Sequence, residues 1–170
     1  MAISNKSWRQ GTFVPPGAEP GLTRTFVWRD IEQEKAVQSI AKDRFDFPNS
    51  RYPTLKTFTN RPARQVGVRI DPDGKEMAFP DIVALEDPSN EVSMIGEVET
   101  HRSLRETPEH DLIEKWRTFT FLGETILFVP LMRADDVKAL LKRHKLKIGG
   151  LRGWRYIIGQ NLIDVSDVRT

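Results

Sequence analysis

The sequence predicts an α/β protein with a central mixed sheet flanked by helices and an extended N-terminal arm. Helix-spaced segments alternate with short strand-like runs in the order α-β-β-β-α-β-α-β. The runs "DIVALE", "SMIGEV" and "TILFVP" are apolar at successive positions, as in strands covered on both faces. The first 25 residues, by contrast, are rich in Pro and Gly.

Residues 1–25 form the arm, with "VPPGAEPG" and the aromatics Trp8 and Phe13. Residues 26–170 form one domain, with a core at about 30–130 and a basic helix and strand at 131–160. "DIEQEKAVQSIAKDRF" opens the core as a helix. Asp30 is its cap, and Val37, Ile40, Ala41 and Phe45 share one side. "FPNSRYPTLKTFTNRP", with three prolines, reads as a loop.

Three strand candidates follow. "RQVGVRI" ends at the turn signal Asp71-Pro72-Asp73-Gly74, "MAFPDIVALE" ends at "DPSN", and "EVSMIGEVET" is the third. After a polar loop, "PEHDLIEKWRTFTFLG" is a helix with Leu112, Ile113, Trp116 and Phe119 on one stripe and Gly123 as its stop. "TILFVP" is a buried strand, "RADDVKALLKRHK" a third helix, and "KIGGLRGWRYIIG" a last strand or hairpin.

Composition excludes several classes of function. Without cysteine there is no disulfide, thiolate metal site or cysteine nucleophile. No apolar run is long enough to span a bilayer, and "MAISNKSWRQGTF" lacks the apolar segment of a signal peptide. The expectation is a cytoplasmic protein that does not engage membranes. The net charge of +2 is small, but from Met132 to Tyr156 eight Lys/Arg face only Asp135 and Asp136. That segment reads either as a solvated basic face or as a nucleic-acid footprint, with Lys138, Lys142, Arg143, Lys145, Arg152 and Arg155 as candidate contacts.

The sharpest feature is "GEVE". Glu97 and Glu99 share one face of a strand, with Val98 on the other. If residues 87–91 turn the second hairpin, Glu86 pairs with Val92, Val83 with Ile95 and Asp81 with Glu97. Directly opposed residues have Cβ atoms about 4.5–5.5 Å apart, so Asp81, Glu97 and Glu99 cluster on otherwise apolar strands. A one-residue slip would undo this. Three such carboxylates stay ionised only if something neutralises them: a hard cation such as Mg²⁺, or salt bridges to nearby Arg.

"FPDIVALEDPSNEVSMIGEVET" resembles the core of the PD-(D/E)xK, or restriction-endonuclease-like, nuclease superfamily. Pro80-Asp81 stands for "PD" and Glu97-Val98-Glu99 for the second motif. The order αβββαβ from Asp30 to Pro130 matches that family's core over about 100 of 170 residues. "GEVETHRS…EKWRTFTFLGETILFVPLMRADDVKALLKRH" also resembles uncharacterised bacterial members. The resemblance implies a Mg²⁺ (or Mn²⁺) site formed by Asp81, Glu97 and the Val98 carbonyl. Glu99 stands where the family usually has Lys; some restriction enzymes also carry Glu there, and the resemblance implies that it holds a second metal or orients the attacking water. The missing cation would then come from the following helix, where Lys115 and Arg117 flank the apolar stripe on opposite sides and spacing does not choose between them. Lys115 is carried in the candidate set. Family members often add an acid from the first helix, and Glu34, beside Val37 and Ala41, is the candidate.

The expected function is metal-dependent phosphodiester hydrolysis of nucleic acid, DNA ahead of RNA. The alternative is a non-catalytic module of the same fold that binds nucleic acid or protein within a larger assembly. A homodimer is compatible with either. His144 falls on an apolar stripe and reads as packed or helix-terminal; His101, after the acidic pair, reads as a polar loop residue or a contact to substrate or metal, and His110 has no partner at a ligand spacing. Trp116 reads as core and Trp154 as packed on a C-terminal strand rather than stacked on bases.

Overall fold

The computed structural model of the chain describes residues 31–71, 73–160 and 162–168. The expected arm at 1–25 and the Asp30 cap lie outside these residues. A six-stranded mixed sheet carries helices on both faces, so the α/β expectation holds at that level.

Helix α1 (Ile31–Arg44) is followed by strand β1 (Leu55–Thr59). Next come a two-stranded ribbon of β2 (Val68–Arg69) and β3 (Met77–Ala78), then β4 (Ile82–Glu86) and β5 (Val92–Val98). Helices α2 (His101–Glu106) and α3 (Glu109–Leu122) lead to β6 (Glu124–Pro130). A 3₁₀ turn (Leu131–Arg133), α4 (Ala134–Arg143), β7 (Gly150–Ile157) and β8 (Leu162–Asp167) complete the order.

The sheet runs β1-β4-β5-β6-β7-β8. Its β1-β4-β5 half is antiparallel, β5-β6-β7 are parallel, and β8 returns antiparallel. Each parallel step passes through a helix, α3 or α4, as parallel neighbours require. Alternation along β4 divides the core. Ile82 and Ala84 pack with Val37 and Ile40 of α1 and with Phe45 just beyond it, whereas Val83 and Leu85 pack with Phe119 and Leu122 of α3. Leu127 and Val129 of β6 meet Trp116 and the α4 residues Val137 and Leu141 on that second face. Both faces are covered, as the apolar runs require.

Three expectations need correction. The stretch read as a loop contains β1: its prolines at 48, 53 and 62 lie outside the Leu55–Thr59 pairing, where Thr57, Phe58 and Thr59 favour extended backbone. "RQVGVRI" contributes only Val68–Arg69, paired with Met77–Ala78 apart from the main sheet. "MAFPDIVALE" is two strands rather than one, broken before Pro80, which has no N–H to donate to a ladder. The first strand of the sheet therefore comes from the proline-rich stretch.

The decisive hairpin keeps its register where the site depends on it. Val83 lies opposite Ile95 and Ile82 opposite Gly96. Near the turn the ladder is irregular, and Leu85 rather than Glu86 faces Val92. Glu86 instead donates its N–H to the Glu91 carbonyl and accepts from Asn90 N–H, which closes the turn. The polar loop expected before α3 holds the short helix α2, capped by Thr100, whose side chain accepts from Ser103 N–H. Of the last strand or hairpin expected at residues 147–159, the structure forms the single strand β7, and β8, which pairs with it antiparallel, lies beyond that segment.

Candidate functional site

Asp81 sits just before β4, and Glu97 and Glu99 at the end of β5. They are 2 %, 5 % and 0 % exposed. The strands bring them together because residue 82 pairs with 96, which carries Asp81 alongside Glu97. The contacts agree: Asp81 N–H donates to Glu97 Oε2 (3.2 Å) and Val98 N–H to Asp81 Oδ2 (3.0 Å). The cluster expected from the sequence exists.

Buried acids need partners, and each of the six carboxylate oxygens has one. Arg61 Nε donates to Asp81 Oδ1 (3.0 Å). Gln33 Nε2 donates to Asp81 Oδ2 (3.1 Å) and to the Val98 carbonyl (3.0 Å). Lys115 Nζ lies 2.9 Å from Glu97 Oε1 and 2.6 Å from Glu99 Oε1. Glu99 also accepts from Trp116 Nε1 (2.8 Å) and, on Oε2, from the Ser103 hydroxyl (2.6 Å). Its carbonyl accepts from Trp154 Nε1 (3.0 Å).

Among the described residues two cations face three carboxylates, and burial decides where the strain falls. Burial and repulsion from Asp81 push the Glu97 carboxyl up to about 8, with Glu99 adding to the rise and Lys115 opposing it. Burial also raises Asp81, against the pull of Arg61 and the Val98 N–H. Glu99 behaves differently. Burial disfavours its charge, but Lys115, Ser103 and Trp116 together hold it below the usual glutamate range. Lys115 in turn is driven above the ordinary lysine range, because Glu97 and Glu99 outweigh the effect of burial.

Of the two cations considered on α3, Lys115 reaches the cluster, whereas Arg117 pairs with Glu114 on the same helix (2.5 Å). Glu34, the acid expected from α1, lies next to Gln33 on that helix. It is half-buried and lines a cavity of about 330 Å³ with Lys35, Gln38, Ser39, Pro62 and Tyr156. The residue of α1 that reaches Asp81 is its neighbour Gln33. The two are neighbours on a helix whose expected apolar side, Val37, Ile40 and Ala41, is buried, and Gln33 is the more buried of them. Arg61 had no pattern to announce it, since it belongs to a proline-flanked loop. The only hint was the general one that buried acids attract arginine.

The basic segment is not gathered on one surface. Arg152 and Arg155 are three apart on β7, so they project to opposite faces. They pair with Asp167 (2.8 Å) and Asp164 (3.1 Å) of β8. Arg143 pairs with Glu109, which also holds His144 at 2.7 Å. Lys138, Lys142 and Lys145 are exposed on or just beyond α4. His101 and His110 are exposed, and Trp116 and Trp154 are buried at 0 % and 2 %, both as the sequence indicates.

Among the described residues no group of three or more His, Cys, Asp or Glu side chains stands ready as a metal cage. The donor set is nonetheless suited to a hard cation. Asp81 Oδ2 and the Val98 carbonyl both face a single electropositive group, the Gln33 amide N–H₂, beside the carboxylate of Glu97. Comparison with protein-family models, curated proteins and solved structures finds no match for this chain.

Proposed function

We propose that the chain is a metal-dependent phosphodiesterase acting on nucleic acid, DNA ahead of RNA, with a restriction-endonuclease-like core and a variant PD-(D/E)xK site. The observation that carries this reading is the convergence of the buried carboxylates of Asp81 and Glu97 with Lys115 of α3 at the end of the central hairpin. The αβββαβ order, with β1, β4 and β5 antiparallel and β6 parallel to β5, supports the same fold assignment. Asp81, Glu97 and the Val98 carbonyl would hold Mg²⁺ or Mn²⁺. When bound, such a cation lowers the pKa of a ligated water and stabilises charge on the scissile phosphate.

The residues of the chain have distinct tasks in this reading. Glu99 is an anchor rather than a water-orienting group, because both its oxygens are occupied by Lys115, Trp116 and Ser103. Lys115 takes over the cationic role of the lysine missing at position 99. It arrives from α3, keeps a side-chain exposure of 34 %, and is held charged by Glu97 and Glu99. A cation so placed stabilises the charge developing on phosphoryl oxygens.

The second reading, a non-catalytic nucleic-acid- or protein-binding module, is favoured by one observation: every carboxylate oxygen already has an internal partner. Hydrolysis of plasmid and single-stranded substrates with Mg²⁺ or Mn²⁺ separates the two. Catalysis predicts metal-dependent cleavage that falls by at least about a hundredfold in Asp81→Ala and Glu97→Ala, the scale of a lost charge-stabilising group. Absence of cleavage by the wild type, with nucleic-acid binding retained, selects the module.

A further inference from the structure

Arg61, a partner of the acidic cluster, keeps a substantially exposed side chain (41 %) on a backbone fixed to the site. The fixing is done by Asn60. Its Nδ2 donates to the carbonyls of Val66 (2.8 Å) and Pro80 (2.7 Å), and its Oδ1 accepts from the N–H groups of Gln65 (2.8 Å) and Val66 (3.0 Å). Its own N–H donates to the Asp81 carbonyl (2.9 Å). One buried side chain thus closes the 60–66 loop and rivets it to Pro80-Asp81. The same loop carries an exposed second cation, Arg64, whose guanidinium lies 4.2 Å from the Phe79 ring centroid.

A guanidinium on a mobile stem, rooted beside a carboxylate, responds to whatever else neutralises that carboxylate. A divalent cation on Asp81 removes the anion that holds Arg61 and repels the guanidinium. The nearest new anion is the phosphate that the same cation recruits. Arginine suits that exchange, because its planar fork pairs equally well with carboxylate and phosphate.

Resting on the metal-dependent reading above, we propose that the 60–66 loop is the phosphate-contacting element of this protein. Arg61 is the counter-ion of Asp81 while no metal is bound and the ligand of a nucleic-acid phosphate once metal binds. The loop, rather than the basic C-terminal segment, then couples metal occupancy to substrate affinity.

Two binding measurements test this without recourse to turnover. Calorimetry with Mn²⁺ is performed on wild type, Arg61→Ala and Arg61→Lys. Fluorescence anisotropy with a cleavage-resistant phosphorothioate duplex is performed with and without Mn²⁺. Arg61→Ala is expected to bind Mn²⁺ as tightly as wild type or several-fold tighter, since a competing cation is gone. Its duplex affinity no longer rises on adding Mn²⁺, and its salt slope in Mn²⁺ is shallower by about one. Arg61→Lys, which keeps the charge but not the fork, recovers part of the metal-induced gain.

Loss of Mn²⁺ binding in both Arg61 variants would make Arg61 a structural support of Asp81 and overturn the proposal. So would an undiminished metal-induced gain in Arg61→Ala. If the wild type itself binds no Mn²⁺, the metal-dependent reading fails and this proposal with it. If the wild type binds Mn²⁺ but Arg61 proves irrelevant to the duplex, only this proposal fails.

Discussion

Glu99 and Lys115 form a pair whose loss should be more costly than its joint replacement. Glu99 is fully buried, and Lys115 is about one-third exposed. Lys115→Met leaves Glu97 and Glu99 without their shared cation. We expect a loss of about 2–4 kcal/mol, below the upper range for broken buried pairs because Lys115 is partly solvated. Glu99→Leu alone strands Lys115 and the donors Ser103 and Trp116, with a loss of similar size. The double variant should lose less than the sum of the two, since an apolar pair of similar volume removes the buried charges together. Urea denaturation of all four proteins gives the coupling, and strict additivity would refute the pairing. The acids of the cluster were readable in advance because strand alternation fixes which carboxylates share a face. Their partners Gln33, Arg61 and Ser103 were not, because one depends on helix rotation and two on loop and cap geometry that periodicity does not encode.

Element boundaries follow the chain's local chemistry, and the hairpin between β4 and β5 shows how tightly. Gly96 lies directly opposite Ile82. A Cβ built there would stand 3.0 Å from Phe45 Cζ and 3.1 Å from Ile82 Cβ. The missing side chain lets Phe45, just beyond the end of α1, lie against the sheet one residue from Glu97. Gly96→Ala should cost about 1–3 kcal/mol through this overpacking. It should also weaken metal binding by displacing Glu97, an outcome that denaturation and Mn²⁺ calorimetry read separately. A variant as stable as wild type would show that Phe45 yields freely. Sequence periodicity located α1, β4, β5, α3, β6, α4 and β7, since each buries apolar residues in the core, but it stopped short of β8. It missed β1, where prolines on either side obscure five pairing residues, and it overextended "RQVGVRI". Its apolar residues Val66 and Val68 are buried against the second face without joining the main sheet.

At the scale of the molecule, the acid cluster makes stability depend on pH in a direction opposite to that of an ordinary carboxylate pair. Glu97 is raised from 4.5 to about 8 in the folded protein. Between those values the folded state holds a proton that the unfolded chain has released. Its contribution is therefore complete below about 4.5 and is lost as pH rises towards 8. Asp81, also raised, acts in the same sense from 3.8 upward. Glu99, lowered, contributes above 4.5 and is lost only at more acid pH. Lys115 is raised above 10.5, so its contribution persists throughout the working range.

Without metal the melting temperature should accordingly fall from about pH 5 to pH 8, and Glu97→Gln, which needs no proton to be neutral, should flatten much of that fall. Divalent cation should reverse the trend. It competes with the Glu97 proton, so Mn²⁺ raises the melting temperature little at pH 5 and most at pH 8, by an amount that grows with log concentration once the site is saturated. Thermal melts of wild type and Glu97→Gln at pH 5, 6.5 and 8, with and without Mn²⁺, check every part of this. A wild-type curve that rises to pH 8 without metal would mean that Glu97 is ionised in the resting protein. A Mn²⁺ shift independent of pH, or retained in Glu97→Gln, would place the cation elsewhere.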